Sequence, residues 1–189
     1  MPNARVDHWL RCAEKTCCAY YVVYVTGDDV VRIARTLSVP AWTFTAAMPS
    51  EATLPDAFAL DGSGNRHRLA LVRTQLETGT RPFCTFLVRA TGGAARCGLG
   101  EGRPAPCRTF PSTLVDGAIR FDHAGCTCDW SAVAADEDAD RELIFAEERA
   151  REKYARIVGA WNDYVGGFAA TVELTHRDFC RYLMDAYSA

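Results

Sequence analysis

Residues 84–111 read CTFLVRATGGAARCGLGEGRPAPCRTFP. Cys84, Cys97 and Cys107 are separated there by a Gly92-Gly93 turn and by a loop dominated by glycine and proline. Thiolate ligands need a backbone that can fold around a centre, and Gly and Pro supply that freedom. Another group lies upstream, Cys12-Ala-Glu-Lys-Thr-Cys17-Cys18, immediately before an apolar run. A four-thiolate centre needs these groups to converge from distant parts of the chain. The long gap between Cys18 and Cys84 leaves that task to the fold. The expectation is an α+β protein: a small cysteine-rich sheet and loop core around a metal centre, followed by a helical C-terminal part.

Working outward, residues 19–26 (AYYVVYVT) are β-branched and aromatic throughout, and read as a largely buried strand. Thr26 followed by Asp29 forms a capping-box pattern. It predicts a helix over 28–37 that buries Val30, Val31, Ile33, Ala34 and Leu37 and stops at Pro40. Residues 57–60 and 68–73 flank the turn-rich DGSGN at 61–65, which suggests a hairpin. Residues 84–89 read as a short apolar strand, and 113–122 as a hairpin turning at Asp116-Gly117. From about Asp136 the character changes. Residues 136–161 contain no Pro and no Gly before Gly159, and Leu143, Ala146, Ala150, Tyr154, Ile157 and Trp161 follow helical spacing. Gly166-Gly167 ends that element. Thr175 with Asp178 then caps a last helix reaching about Tyr187.

The 189 residues suit one well-cored domain, with 10–130 as the cysteine-cluster region and 136–188 as the helical part. With 49% hydrophobic and 24% charged residues, the composition is that of a globular protein rather than a disordered tail. A formal net charge of −3 argues against a nucleic-acid partner, for which a basic domain is expected. No apolar run approaches the roughly 18 residues that span a bilayer, so no membrane partner is expected. The polar first 15 residues carry no signal-peptide core, which points to the cytoplasm. Nine cysteines is an odd number, leaving one over in an all-disulfide scheme. In a reducing compartment clustered cysteines more often bind metal or do redox chemistry.

Cys12–Cys18 before a strand and helix, then Cys84-Thr-Phe-Leu87, Cys97, and Arg103-Pro104-Ala-Pro-Cys107-Arg108-Thr-Phe-Pro111 together resemble the YkgJ-like family. These are cysteine-cluster proteins described as a zinc- or iron-chelating domain with a CxxCxxCC signature. The resemblance covers roughly residues 10–130, and its specific part is C-x-F-L, then C, then R-P-x-x-C-R-x-F-P, in that order. The first motif is one residue shorter than the family pattern, with Lys15 near the place of a middle cysteine. That shorter start is similar to the cysteine-rich domain of flagellin lysine methylases. Carried over position by position, the resemblance implies Cys12, Cys17, Cys18, Cys84, Cys97 and Cys107 as metal ligands. It also implies an iron–sulfur cluster, with S-adenosylmethionine-linked methyl transfer as one reaction such a protein could serve. Six thiols exceed the four that one zinc or one [4Fe–4S] cluster takes from cysteine. Adjacent Cys17 and Cys18 are expected to diverge along an extended chain, so that both rarely reach one metal.

Cys126-Thr-Cys128 offers two further candidate ligands, since a C-x-C turn can aim both sulfurs at one centre. His123, three residues earlier, is a candidate for a mixed site. Cys180 sits among apolar helical residues and reads as core. Between 81 and 108 stand Arg81, Arg89, Arg96, Arg103 and Arg108 against one acid, Glu101. Four thiolates on Zn²⁺ or on a [4Fe–4S]²⁺ core leave a charge near −2, which guanidinium groups would stabilise. Arg103 and Arg108 are candidates either for that supporting role or for gripping a substrate carboxylate in bidentate fashion. No catalytic residue is assigned. The leading expectation is a cytoplasmic cysteine-cluster protein holding a [4Fe–4S] centre and serving a modification reaction on a small-molecule or protein substrate. The alternative is a zinc-stapled binding module without catalysis, and a weaker third option is metal storage or delivery.

Overall fold

A computed structural model describes residues 8, 16–75, 82–89, 95–120, 137–168 and 172–188. In chain order these form α1 (Thr16–Tyr20), α2 (Gly27–Leu37), a 3₁₀ turn (Ala41–Thr43), β1 (Thr45–Ser50) and β2 (Arg66–Leu71). Four very short strands follow: β3 (Arg73–Thr74), β4 (Phe83–Cys84), β5 (Leu87–Arg89) and β6 (Ala95–Cys97). A second 3₁₀ turn (Gly100–Gly102) leads to α3 (Ala105–Thr109), β7 (Thr113–Val115) and β8 (Ala118–Arg120). The chain closes with α4 (Glu137–Gly166) and α5 (His176–Ala186). Among the described residues the strands pair only two by two, always antiparallel: β1 with β2, β3 with β4, β5 with β6 and β7 with β8. The protein is thus mixed α and β, with small antiparallel sheets and a helical C-terminal part. No described helix is long and apolar enough to cross a membrane.

Two compact units form, each from two separate stretches. One comprises the described residues of Tyr24–Val72 and Glu147–Ala189. Its core joins Val30, Ile33 and Ala34 of α2, Leu69 to Leu71 of β2, Tyr154, Val158, Trp161 and Val165 of α4, and Phe179 and Leu183 of α5. Phe179 stacks on Phe58 with ring centroids 3.8 Å apart and meets Trp161 edge-on at 5.3 Å. Asn162 and Trp161 bind α4 to the segment around Phe58. The Trp161 indole N–H donates to the Ala59 carbonyl at 2.7 Å, and the Asn162 amide serves Ala59 N–H and the Ala57 carbonyl. Both predicted capping boxes are present. Asp29 N–H donates to Thr26 Oγ1 while Thr26 N–H donates back to the Asp29 carboxylate, and Thr175 with Asp178 repeats the exchange.

Several expectations are corrected here. Residues 19–26 do not form a strand: α1 runs to Tyr20, and only Tyr24 makes a bridge, to Ala70. Pairing partners, not strand propensity alone, decide such a run, and the edge of β2 away from β1 is shared between Tyr24 at Ala70 and Phe58 at His67. The hairpin around 61–65 shrinks to one bridge, in which Phe58 and His67 exchange both backbone hydrogen bonds. Pro49 of β1 lies across from His67, where its missing N–H costs nothing because His67 is already engaged on its other side. Leu37 is exposed, since the left-handed Ser38 ends α2 before that side chain reaches the core. In α4, Tyr154 and Trp161 are buried as expected, but Val158 is buried where Ile157 is half-buried, and Ala146 is exposed beside a buried Glu147.

Gly27 opens α2 directly beneath the ring of Tyr187, whose hydroxyl donates to Asp28 at 2.9 Å. A Cβ added at Gly27 would stand 2.4 Å from that ring. Overpacking costs about 1–3 kcal/mol, more than the at most ~1 kcal/mol that helix propensity returns. Gly27→Ala is therefore expected to lower stability in urea unfolding, and an unchanged midpoint would contradict this packing.

At the start of α5, His176 Nε2 lies 3.0 Å from Thr45 Oγ1 and 3.3 Å from the sulfur of Cys180. Thr45 spends its own proton on the Ala41 carbonyl at 2.8 Å. Burial holds His176 below the ordinary histidine range and pushes the Cys180 thiol up to about 11. Cys180 is fully buried, as a core residue. A histidine depressed by folding stabilises the fold above its unfolded pKa of about 6.5, and that contribution is lost as pH falls through the lower folded value. The acid side of a stability–pH curve is expected to flatten in His176→Gln; an equally steep acid side in the variant would contradict this.

Candidate metal centre

The other compact unit comprises the described residues of Met1–Val23 and Arg73–Ala146. Cys17 and Cys18 lie in α1, Cys84 ends β4, Cys97 ends β6 and Cys107 sits in α3. Cys84 is buried and the other four are half-buried. Short elements position them. α1 packs on β4, and Arg73 of β3 faces Cys84 across the β3–β4 pair. Leu87 pairs with Cys97, and Gly98 N–H donates to the Phe86 carbonyl at 2.7 Å, fixing β5 and β6 around the turn after Cys84. Pro104 starts α3 with its carbonyl accepting from Cys107 N–H. The apolar strand expected over 84–89 is divided by a turn at Thr85-Phe86 into β4 and β5. The hairpin at Asp116-Gly117 forms as expected, with positive φ at both turn residues (51° and 78°).

Those turns carry the site's chemistry. The strand holding Cys84 stops at the cysteine, and the Phe86 N–H donates to its sulfur, opposing the upward push of burial on the thiol. Cys97 repeats the pattern: burial raises it, while N–H groups of Leu99 and Gly100 donate to the sulfur and the nearby Arg103 guanidinium lowers it. Gly100 makes this possible with a left-handed φ of 52°. The Gly98-x-Gly100 run is therefore a sulfur-facing turn. Backbone N–H donors favour the charged form of the group they reach, so both turns are built to receive thiolates.

Cys17 and Cys18 depart from the expected divergence. They lie in a helix rather than an extended chain, and their sulfurs are 3.9 Å apart. The hydrogen bond with Cys17, then burial, then the charges of Cys17, Cys107 and Cys84 hold the Cys18 thiol far above its usual range. Cys84 feels Cys97 and Cys17, and Cys97 feels Cys17. The five thiols thus form one electrostatically coupled set. Burial and neighbouring thiols hold Cys18, Cys84 and Cys97 above the usual thiol range, and a cation among them would reverse both effects. As placed, no three His, Cys, Asp or Glu side chains among the described residues are gathered tightly enough to hold a metal ion. The donor set itself is soft, at least half-buried and thiol-only, which fits zinc or iron–sulfur ligation.

Cys12, Cys126, Cys128, His123 and Arg81 lie outside the described residues. Arg89 and Arg96 are exposed, Arg89 resting 5.4 Å above the Phe83 ring. Arg103 is half-buried and donates to the Gly100 carbonyl at 3.2 Å, and Arg108 is half-buried beside Cys107. Sequence reasoning missed Arg73, whose nearest cysteine in the chain is eleven residues away, and the N–H groups behind Cys84 and Cys97. Glycine at the first and third positions after Cys97 was the available signal for the latter. No family model, curated protein or solved structure matches this chain.

Proposed function

We propose that this chain is a cytoplasmic cysteine-cluster protein that holds an iron–sulfur centre, a [4Fe–4S] cluster. The observation that carries the reading is the pair of turns after Cys84 and Cys97, whose N–H groups donate to sulfur, together with the nearness of Cys17 to both and of Cys18 to Cys17, Cys84 and Cys107. Five thiols in one unit supply the four that either centre takes from cysteine, and the preference for iron rests on the resemblance of 12–18 and 84–111. Cys84, Cys97, Cys107 and the Cys17–Cys18 pair are the ligand set, to which Cys12, Cys126 and Cys128 are the candidate additions. The reaction served is a modification of a small-molecule or protein substrate. Its support is the resemblance of 12–18 and 84–111 to the cysteine-cluster family, and S-adenosylmethionine-linked methyl transfer is the case to screen first. Arg103 and Arg108 hold the charge that such a centre or an acidic substrate needs.

A structural zinc is the second reading, favoured by one observation. Among the described residues, the buried hydrophobic positions of this unit are Cys84, Leu87, Leu99 and Ala105, joined by the fully buried Pro104 and Pro111. So thin a core gains folding energy directly from a metal staple. Purification without oxygen, followed by elemental analysis and a visible spectrum, separates the two. About four irons per chain, with colour bleached by dithionite, supports the cluster. One zinc in a colourless sample supports the staple, and a metal-free product that takes up neither metal overturns both.

A further inference from the structure

We propose that Arg73 is the latch of the thiol pocket: its guanidinium ties the helix carrying Cys17 and Cys18 to the strand carrying Cys84, and supplies fixed positive charge between them. Nη1 donates to the Tyr20 carbonyl at 3.0 Å and Nη2 to the Ala19 carbonyl at 2.5 Å. Nη2 also donates to the Pro82 carbonyl, one residue before β4. Ala19 and Tyr20 are the last residues of α1, whose end carbonyls have no partner within the helix. One planar cation therefore binds both cysteine-bearing segments, while its backbone sits directly across from Cys84.

The chemistry requires arginine. Its donors are spread over a rigid fork, whereas lysine offers them all on one nitrogen. The hydrogen bonds to carbonyls satisfy donors of the fork, and among the described residues the buried Nε has no acceptor. The same cation stands between the cysteine-bearing segments, where a metal with bound thiolates would carry negative charge. This second role rests on the metal-binding reading; the first does not.

The test uses metal-free full-length protein and dibromobimane, a short thiol-to-thiol cross-linker, with the bridged peptides read by mass spectrometry. The wild type is expected to give a bridge between the peptide holding Cys17 and Cys18 and that holding Cys84. In Arg73→Gln and Arg73→Lys this bridge falls to background, while the Cys84–Cys97 bridge persists. General loosening of the unit would lose both bridges and overturn the latch, as would an undiminished α1–β4 bridge in Arg73→Lys. The lysine variant keeps the charge and the stem, and is the one read if the glutamine variant loses its native circular dichroism. Zinc affinity measured on the same proteins should fall about 10–100-fold, as for loss of other groups that orient metal ligands. A wild type that cross-links as expected but binds neither zinc nor iron would overturn the metal reading and leave the latch standing.

Discussion

Cys84→Ser is expected to abolish metal retention, with affinity falling by more than about 100-fold, beyond what loss of a supporting group costs. Serine keeps the size of the side chain and removes the soft donor, so the β3–β4 pairing opposite Arg73 has no reason to change. Cys180→Ser is the matched control. Cys180 is fully buried among α5 and Thr45 in the other compact unit, and metal content should be untouched. The wild-type thiols add a pH signature. Burial holds Cys84 and Cys97 above the usual thiol range, and the Cys17 hydrogen bond with burial holds Cys18 higher still. These groups carry protons at neutral pH, so loading metal releases them, and uptake weakens about tenfold per pH unit downward for each proton released. Metal content of the two serine variants, measured side by side, checks the prediction. Equal loading of both would contradict the assignment of Cys84.

Phe179→Ala is expected to cost about 3–5 kcal/mol, a large share of the roughly 5–15 kcal/mol that holds a domain together. The ring is completely buried, stacked on Phe58 and edge-on to Trp161, so truncation leaves a cavity walled by two rigid aromatics. Neither wall can collapse easily. Trp161 is held by its hydrogen bond to Ala59, and Phe58 by its two backbone bonds to His67. Urea unfolding followed by circular dichroism measures the loss, and a change below about 1 kcal/mol would place Phe179 outside the core.

The helical parts of this fold were legible because their signals are local. Thr26 with Asp29 and Thr175 with Asp178 close capping boxes within four residues, and Asp116-Gly117 needs only its own two positive φ angles. Strand pairing was less legible. Residues 19–26 have every intrinsic mark of a strand, yet the edge of β2 that Tyr24 reaches is shared with Phe58, which no local pattern records. The mixed α and β class follows from the local signals; the division into two units, each from two chain segments, is a matter of long-range contacts. In the candidate site, the cysteines themselves and the Gly-rich turns could be read directly. That Cys17 and Cys18 present their sulfurs side by side required knowing that they are helical. Arg73 was invisible, since a single arginine in a β-rich stretch becomes informative only once Ala19, Tyr20 and Pro82 surround it.

The most direct measurement of the central claim is X-ray absorption at the edge of whichever metal the anaerobically purified protein carries. A first shell made of sulfur is predicted: iron with sulfur and neighbouring iron for a cluster, or four sulfurs at about 2.3 Å for zinc. A first shell of nitrogen and oxygen alone would contradict the thiol centre.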